Sequence, residues 1–384
     1  QPIPLDLDVK LGDSVETLQV ENNGSVVSTP GTISSVMVGT YPVEDVALLL
    51  FRITLPLQYR DNSFVLPAVR KGKLAGILMR YDIRAQFADL IPSPVIQHYL
   101  KALDKAPYQS FPRAEISFSG LRDPQLRKYL GITADLANRG IYITNVIPNG
   151  PAAQAGIKAG DVLLAVNGQP LDADGNYNHP LYGLIPFSYL TSTEAFAGQK
   201  IPFTIFRKGK TQDISVQVAP RDIDKMISPP YSIDKAPPYY ILGGLVFQEL
   251  SKSYLHEWGK NWQREAPKKL VYYDQYQQEL APDRGKIVIL NQVLANEAAY
   301  GYNELNNLIV KSVNGKPIKS LRDLADAVNT PVNGYHRIEF EDEPSVIYLD
   351  PELSNRLKES IRQQYNLPAL ENLPDVKSKT PDNS

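Results

Sequence analysis

The chain has 384 residues, of which 40 are basic and 42 acidic, for a formal net charge of -2. The two signs are interspersed without the basic stripe that phosphate neutralisation requires, which argues against a nucleic-acid partner. With no cysteine there are no disulfides, thiolate metal sites or cysteine nucleophile, and no run approaches the roughly 20 apolar residues of a membrane helix.

The length predicts two to four domains. A cysteine-free chain suits an oxidising, extracytoplasmic compartment, with the periplasm as the expected place. Gln1 rather than Met at the start suggests a removed leader or longer N-terminal segment. Residues 1–105 read as β-rich. Runs 14–20, 31–38, 46–55 and 73–80 are rich in β-branched and aliphatic residues, and Asn-Gly, Pro-Gly and Lys-Gly separate them, a spacing that suits a small barrel or sandwich. Residues 94–103 then carry helical periodicity with Pro94 in the first turn.

A second unit is expected over 106–225. Its middle, from Gly140 to Gly168, reads as strand, Pro/Gly turn, short Ala-rich helix, glycine stop, strand and an Asn167-Gly168 hairpin turn. A third unit over 235–365 repeats the theme: residues 286–297 correspond to the first strand and turn, and 308–318 to the second, again ending in Val-Asn-Gly. Ser320, with Asp323 three residues on, reads as a helix cap. Residues 227–238, with two Pro-Pro pairs, read as a linker, and 366–384 as a disordered tail. The segment 254–276, with Trp258 and Trp262 four apart, reads either as an amphipathic helical insertion with an aromatic face or as core packing.

The stretch Gly150-Pro-Ala-Ala-Gln-Ala-Gly-Ile-Lys-Ala-Gly-Asp-Val-Leu-Leu-Ala-Val-Asn-Gly168 resembles the PDZ domains of the HtrA/Deg (DegP-like) serine protease family. Residues 237–247 and 289–297 resemble the atypical second PDZ domain of its plant-type Deg branch. Gly12-Asp-Ser-Val15, Thr29-Pro-Gly-Thr-Ile-Ser-Ser-Val36 and Asp89-Leu-Ile-Pro-Ser-Pro-Val-Ile96 are similar to the second lobe of its trypsin-like domain. The resemblance implies a mainly β fold with some α: a partial trypsin-like β-barrel lobe followed by two PDZ-like domains.

It also places Ser63, in Asp61-Asn-Ser-Phe-Val-Leu-Pro67, at the nucleophile's position. A serine nucleophile needs a base and oxyanion donors, yet His98, His179, His256 and His336 all follow Ser63. Phe64 and Val65 stand where the family has glycines that shape the oxyanion loop. Asp45, in a stretch resembling the family's catalytic-Asp pattern, is out of register with the lobe. The expected catalytic set is therefore empty, with no cofactor and no metal.

PDZ domains take an extended peptide as an added strand, a Φ-Gly-Φ loop holding its carboxylate. In the first module that loop aligns with Arg113-Ala114-Glu115-Ile116; Glu115 replaces glycine and brings negative charge, which Arg113 is placed to offset. The second module keeps Leu242-Gly243-Gly244-Leu245-Val246-Phe247 and is the favoured groove, the alternative being that the two glycines only shape a turn. The expected function is a non-catalytic HtrA/Deg-like scaffold or peptide-binding adaptor, a homo-oligomer or subunit of a larger complex. The alternative is the C-terminal part of an active HtrA-type endoprotease in protein quality control, and a third reading has the modules serving oligomerisation alone.

Overall fold

The computed structural model describes residues 2–21, 23–41, 46–57, 66–105, 107–132, 136, 138–230 and 236–373. The chain divides into two compact units, Gln1–Arg221 and Asp222–Ser384.

The first unit begins with six strands, β1 (Ser14–Val20), β2 (Val26–Thr40), β3 (Ala47–Thr54), β4 (Pro67–Arg70), β5 (Lys73–Asp82) and β6 (Phe87–Pro92). They close into a barrel in the order β1-β2-β3-β6-β5-β4, β4 returning to β1 through Glu16↔Val69 and Thr17↔Ala68. Closure leaves this sheet without an edge. The strand β1 alternates buried and exposed residues, as a barrel wall facing water on one side must. In contrast β3 is buried on both faces from Leu48 to Phe51, which is why its sequence is a continuous apolar run. The helix α1 (Ser93–Leu103) leaves the barrel with Pro94 in its first turn.

The rest of this unit holds β7 (Ile116–Gly120), α2 (Pro124–Tyr129), β8 (Ile141–Val146), α3 (Pro151–Gln154), β9 (Val162–Val166), β10 (Gln169–Pro170), β11 (Asn176–His179), β12 (Gly183–Pro186), α4 (Ser188–Thr191), β13 (Lys200–Arg207) and β14 (Lys210–Gln217). The main sheet runs β14-β13-β9-β8-β7, with β10 on β9 and β11-β12 a separate hairpin. The predicted Asn167-Gly168 turn is present, with φ of 51° and 75°. One hydrophobic core spans barrel and PDZ-like module, joining Ile33, Phe51 and Leu90 to Ile141, Tyr189 and Phe203. The expected boundary between residues 105 and 106 thus divides the sequence without dividing the packing. Phe51 meets Tyr182 edge-on at 5.9 Å, β12 lies against β2, and α4 lies against β3.

The second unit contains β15 (Tyr239–Leu242), β16 (Leu245–Glu249), α5 (Lys252–Leu255), α6 (Trp262–Glu265), α7 (Lys268–Gln275), α8 (Gln277–Arg284), β17 (Val288–Val293), β18 (Leu308–Val313), β19 (Lys316–Pro317), α9 (Leu321–Ala327), β20 (His336–Phe340), β21 (Val346–Leu349), α10 (Pro351–Arg356), α11 (Lys358–Gln364) and β22 (Glu371–Asn372). Its sheet runs β21-β20-β18-β17-β16-β15-β22, with β19 on β18. Ser320 caps α9, its Oγ accepting from the Asp323 amide at 3.1 Å, while the Asp323 carboxylate accepts from the Lys319 amide at 3.0 Å.

Two expectations are corrected here, and the choice left open for 254–276 falls to core packing. The proposed linker begins inside the core: Ile227 and Ser228 are fully buried, because Ile227 packs with Leu250, Leu255 and Leu270. The supposed tail starts as structure, since Glu371 and Asn372 pair with Tyr240 and Tyr239; residues 374–384 lie outside the described set. The 254–276 segment is not one helix. It breaks at Gly259, whose φ is 76°, and Pro267 precedes α7; Trp262 and Tyr273 turn into a local core.

Replacing Phe51 with Ala is expected to destabilise the first unit by about 3–5 kcal/mol. Barrel and PDZ-like module should lose structure in one transition, monitored by hydrogen exchange in β3 and β9 under increasing urea. Separate transitions would contradict the shared core.

Candidate functional site

A strand can accept a peptide only where its hydrogen-bonding edge is open. In the first module β7 ends the sheet: it pairs with β8 from Ile116↔Val146 to Gly120↔Ile141, and among the described residues no strand lies on its other side. The loop leading into it is pinned by backbone bonds. Arg113 bridges Ala219, the Ala114 carbonyl accepts from the Ala152 amide at 3.1 Å, and the Glu115 carbonyl accepts from the Ile147 amide at 3.1 Å.

Glu115 takes the backbone conformation that the usual glycine would take, with φ of 60°, at a cost on the order of 1 kcal/mol for a residue bearing a Cβ. Its carboxylate is nearly buried and accepts two hydrogen bonds from Arg221, through Nε and Nη2, each 3.0 Å. Arg221 thus binds both oxygens of Glu115, a partner that the expectation placed on Arg113 did not include. Sequence reasoning missed Arg221 because 106 residues separate the pair and no local pattern links them.

The wall facing β7 also departs from the second copy. Between β19 and β20 the second module has the single helix α9, whereas between β10 and β13 the first has the β11-β12 hairpin and the one-turn α4. Phe187, just ahead of α4, packs at 5.4 Å against the half-exposed Phe118 of β7. Beyond the other end of β7, Arg122 pairs with Asp174 at 2.7 Å. The open edge, the Arg113–Ile116 loop and the Phe118–Phe187 contact make one continuous candidate site.

The second module reverses the expectation placed on it. β16 is paired on both sides, with β17 and with β15. Gly243 and Gly244 form the two-residue turn between β15 and β16, with φ of 54° and 90°, the double positive φ of a type I′ hairpin. Leu242, Leu245 and Phe247 face the core, and Val246 is held in the ladder opposite Ile241. The favoured groove at Leu242–Phe247 is thus filled by the chain's own Tyr239–Leu242 strand, and the turn reading describes the glycines. A Cβ on Gly244 would lie 2.0 Å from the Asn296 side chain and 2.6 Å from the Leu294 carbonyl. Gly244→Ala should therefore destabilise the second unit by about 1–3 kcal/mol, read as a lowered urea midpoint; an unchanged midpoint would contradict the tight turn.

Ser63 and Asp45 lie outside the described residues. His98 is buried, its ring stacked between Phe111 at 4.4 Å and Phe196 at 4.3 Å, and Nδ1–H donates to the Thr193 carbonyl at 2.8 Å. In His179 the Nδ1 accepts from the Leu181 and Tyr182 amides at 3.1 and 3.2 Å. The proton therefore sits on Nε2, 3.6 Å from Glu194. His336 is buried against Asn314. Burial lowers the pKa of all three imidazoles and raises that of Glu194. His256 is exposed on the second unit.

An imidazole held below its ordinary 6.5 takes up a proton on unfolding, so the folded state keeps its full stability above about pH 6.5 and loses it as the pH falls. Urea unfolding of the first unit should give a lower stability at pH 5.5 than at pH 7.5. His98→Phe keeps the stack, should cost about 1–3 kcal/mol at pH 7.5 through the lost hydrogen bond, and should narrow the difference between the two pH values. An undiminished difference would rule out His98 as a source of the pH dependence.

Residues 128–218 and residues 228–371 each match the PDZ domain family. The chain is 29% identical over 377 residues to the chloroplastic protease Do-like 2 of Arabidopsis thaliana, covering 96% of this chain and 59% of that protein. It is 24% identical over 356 residues to the mitochondrial putative protease Do-like 11 of the same organism, covering 92% of this chain and 56% of that protein. The chain thus spans less than two thirds of the length of either relative. Among solved structures, the HtrA-type protease AlgW with decapeptide aligns at 19% identity with a TM-score of 0.41, covering 57% of this chain and 64% of that one. No described helix is long and apolar enough to cross a membrane.

Proposed function

We propose that this chain, a homologue of the Do-like (HtrA/Deg) proteases with two PDZ domains, acts as a non-catalytic scaffold or peptide-binding adaptor within a larger assembly. The observation that carries the proposal is the open β7 edge beside the Phe118–Phe187 contact. An extended peptide added there gains main-chain hydrogen bonds along the strand, and side chains on alternate positions read the wall. The second PDZ domain, its corresponding edge filled, serves as a structural or assembly module in this reading, consistent with a homo-oligomer or a subunit of a larger complex. A cysteine-free chain fits an extracytoplasmic setting such as the periplasm.

The non-catalytic part is supported by chemistry. His98, His179 and His336 are each committed to stacking or hydrogen bonding within their own surroundings. In the sequence, Phe64 and Val65 replace the glycines that would shape an oxyanion loop after Ser63. A second reading is favoured by the relatives, which are named proteases of greater length: the chain would then be the C-terminal part of an active serine endoprotease in protein quality control.

One pair of measurements separates the readings. In the adaptor reading, a fluorescein-labelled octapeptide amide of alternating threonine and apolar residues binds the full chain by fluorescence anisotropy. Phe118→Asp weakens it at least about tenfold, the equivalent of about 1.4 kcal/mol, with an unchanged circular dichroism spectrum. A serine-reactive fluorophosphonate should leave Ser63 unlabelled in the native assembly. Labelling that disappears in Ser63→Ala, accompanied by peptide hydrolysis, would establish the endoprotease instead.

A further inference from the structure

We propose that the Glu115–Arg221 pair sets the specificity of the first PDZ domain, selecting extended segments from the interior of a polypeptide and turning away free C-terminal carboxylates. The inference rests on the reading of β7 as the docking edge. A strand added antiparallel to β7 travels toward the start of β7, so its C-terminal end arrives at the Arg113–Ile116 loop. At that point the chain presents a carboxylate. Glu115 is held there by its left-handed backbone, by the two hydrogen bonds from Arg221, and by the close approach of Gly150, where an added Cβ would lie 3.0 Å from the Glu115 Cβ.

A peptide ending at this loop would bring a second carboxylate toward the first, in a partly desolvated setting where like charges repel strongly. The Arg221 guanidinium already spends Nε and Nη2 on Glu115. An interior segment carries a neutral amide at the same point and meets no such penalty. Glu115 also stands in a conformation that disfavours every residue with a Cβ, and glycine would fill it without strain. The partner this chemistry fits is an extended, carboxylate-free stretch of another protein, with an apolar residue facing Phe118 and Phe187.

The test uses the full chain and one sequence, Thr-Val-Thr-Val-Thr-Phe-Thr-Val, in three fluorescein-labelled forms: free acid, C-terminal amide, and embedded between Gly-Ser flanks. The wild-type chain should bind the amide and the embedded form at least about tenfold more tightly than the acid. In Glu115→Gly and Glu115→Gln the preference should vanish or invert. Arg221→Gln, which leaves the carboxylate without its bidentate partner, should sharpen it. Thermal unfolding monitors all three variants, and if the glycine variant fails to fold the other two carry the comparison, one in each direction. Equal binding of acid and amide by the wild type, or a preference unchanged in Glu115→Gln, would overturn the specificity while leaving the docking edge intact. Failure of every form to bind would overturn the docking edge and this inference with it.

Discussion

Burial of β3 on both faces is the constraint on which the first unit depends. A strand in a small barrel normally alternates, one face inward and one to water, but Leu48, Leu49, Leu50 and Phe51 are all 3% exposed or less. The outward face therefore needs a cover. The PDZ domain supplies it through the β11-β12 hairpin and α4, with Tyr182 and Tyr189 in the same core. His98 does similar work on α1, locking Phe111, Phe196 and the Thr193 carbonyl around one ring. Because this cover is built from the insertion between β10 and β13, the segment that anchors the domain also supplies Phe187, which packs against Phe118 of β7.

The two PDZ domains show how one local plan can lead to opposite edges. Both turn at a Val-Asn-Gly with positive φ on Asn and Gly, and both build their sheets from matching strands. They diverge just before the strand that could receive a partner. In the second, Tyr239–Leu242 folds back through two glycines and saturates β16. In the first, the preceding residues bridge Ala219 instead, and among the described residues β7 pairs with β8 alone. A difference of a few residues in turn chemistry decides whether this edge is paired from within the chain.

Much of this was legible in the sequence where the signal is local. The strands at 14–20 and 73–80, the Pro94-initiated helix, the Asn-Gly turns and the Ser320 cap depend on spacing and residue type within a few positions, and each stands where the pattern put it. What failed depended on distant partners. Two Pro-Pro pairs marked a linker, yet burial of Ile227 is set by Leu250 and Leu270. Gly243-Gly244 suits both a carboxylate loop and a hairpin, and only the register with β16 distinguishes them. The charge of Glu115 was readable; that Arg221 answers it was not.

The outermost strand of the second unit carries a further consequence. β22 pairs with β15 across more than 130 residues of chain, so the sheet is completed by nearly the last residues described. Contacts of such long sequence separation close late, because the intervening chain must be ordered first. During synthesis the outer edge of β15 therefore remains uncovered until residues 370–372 have been made, and during that interval it is exposed to pairing with any other extended chain.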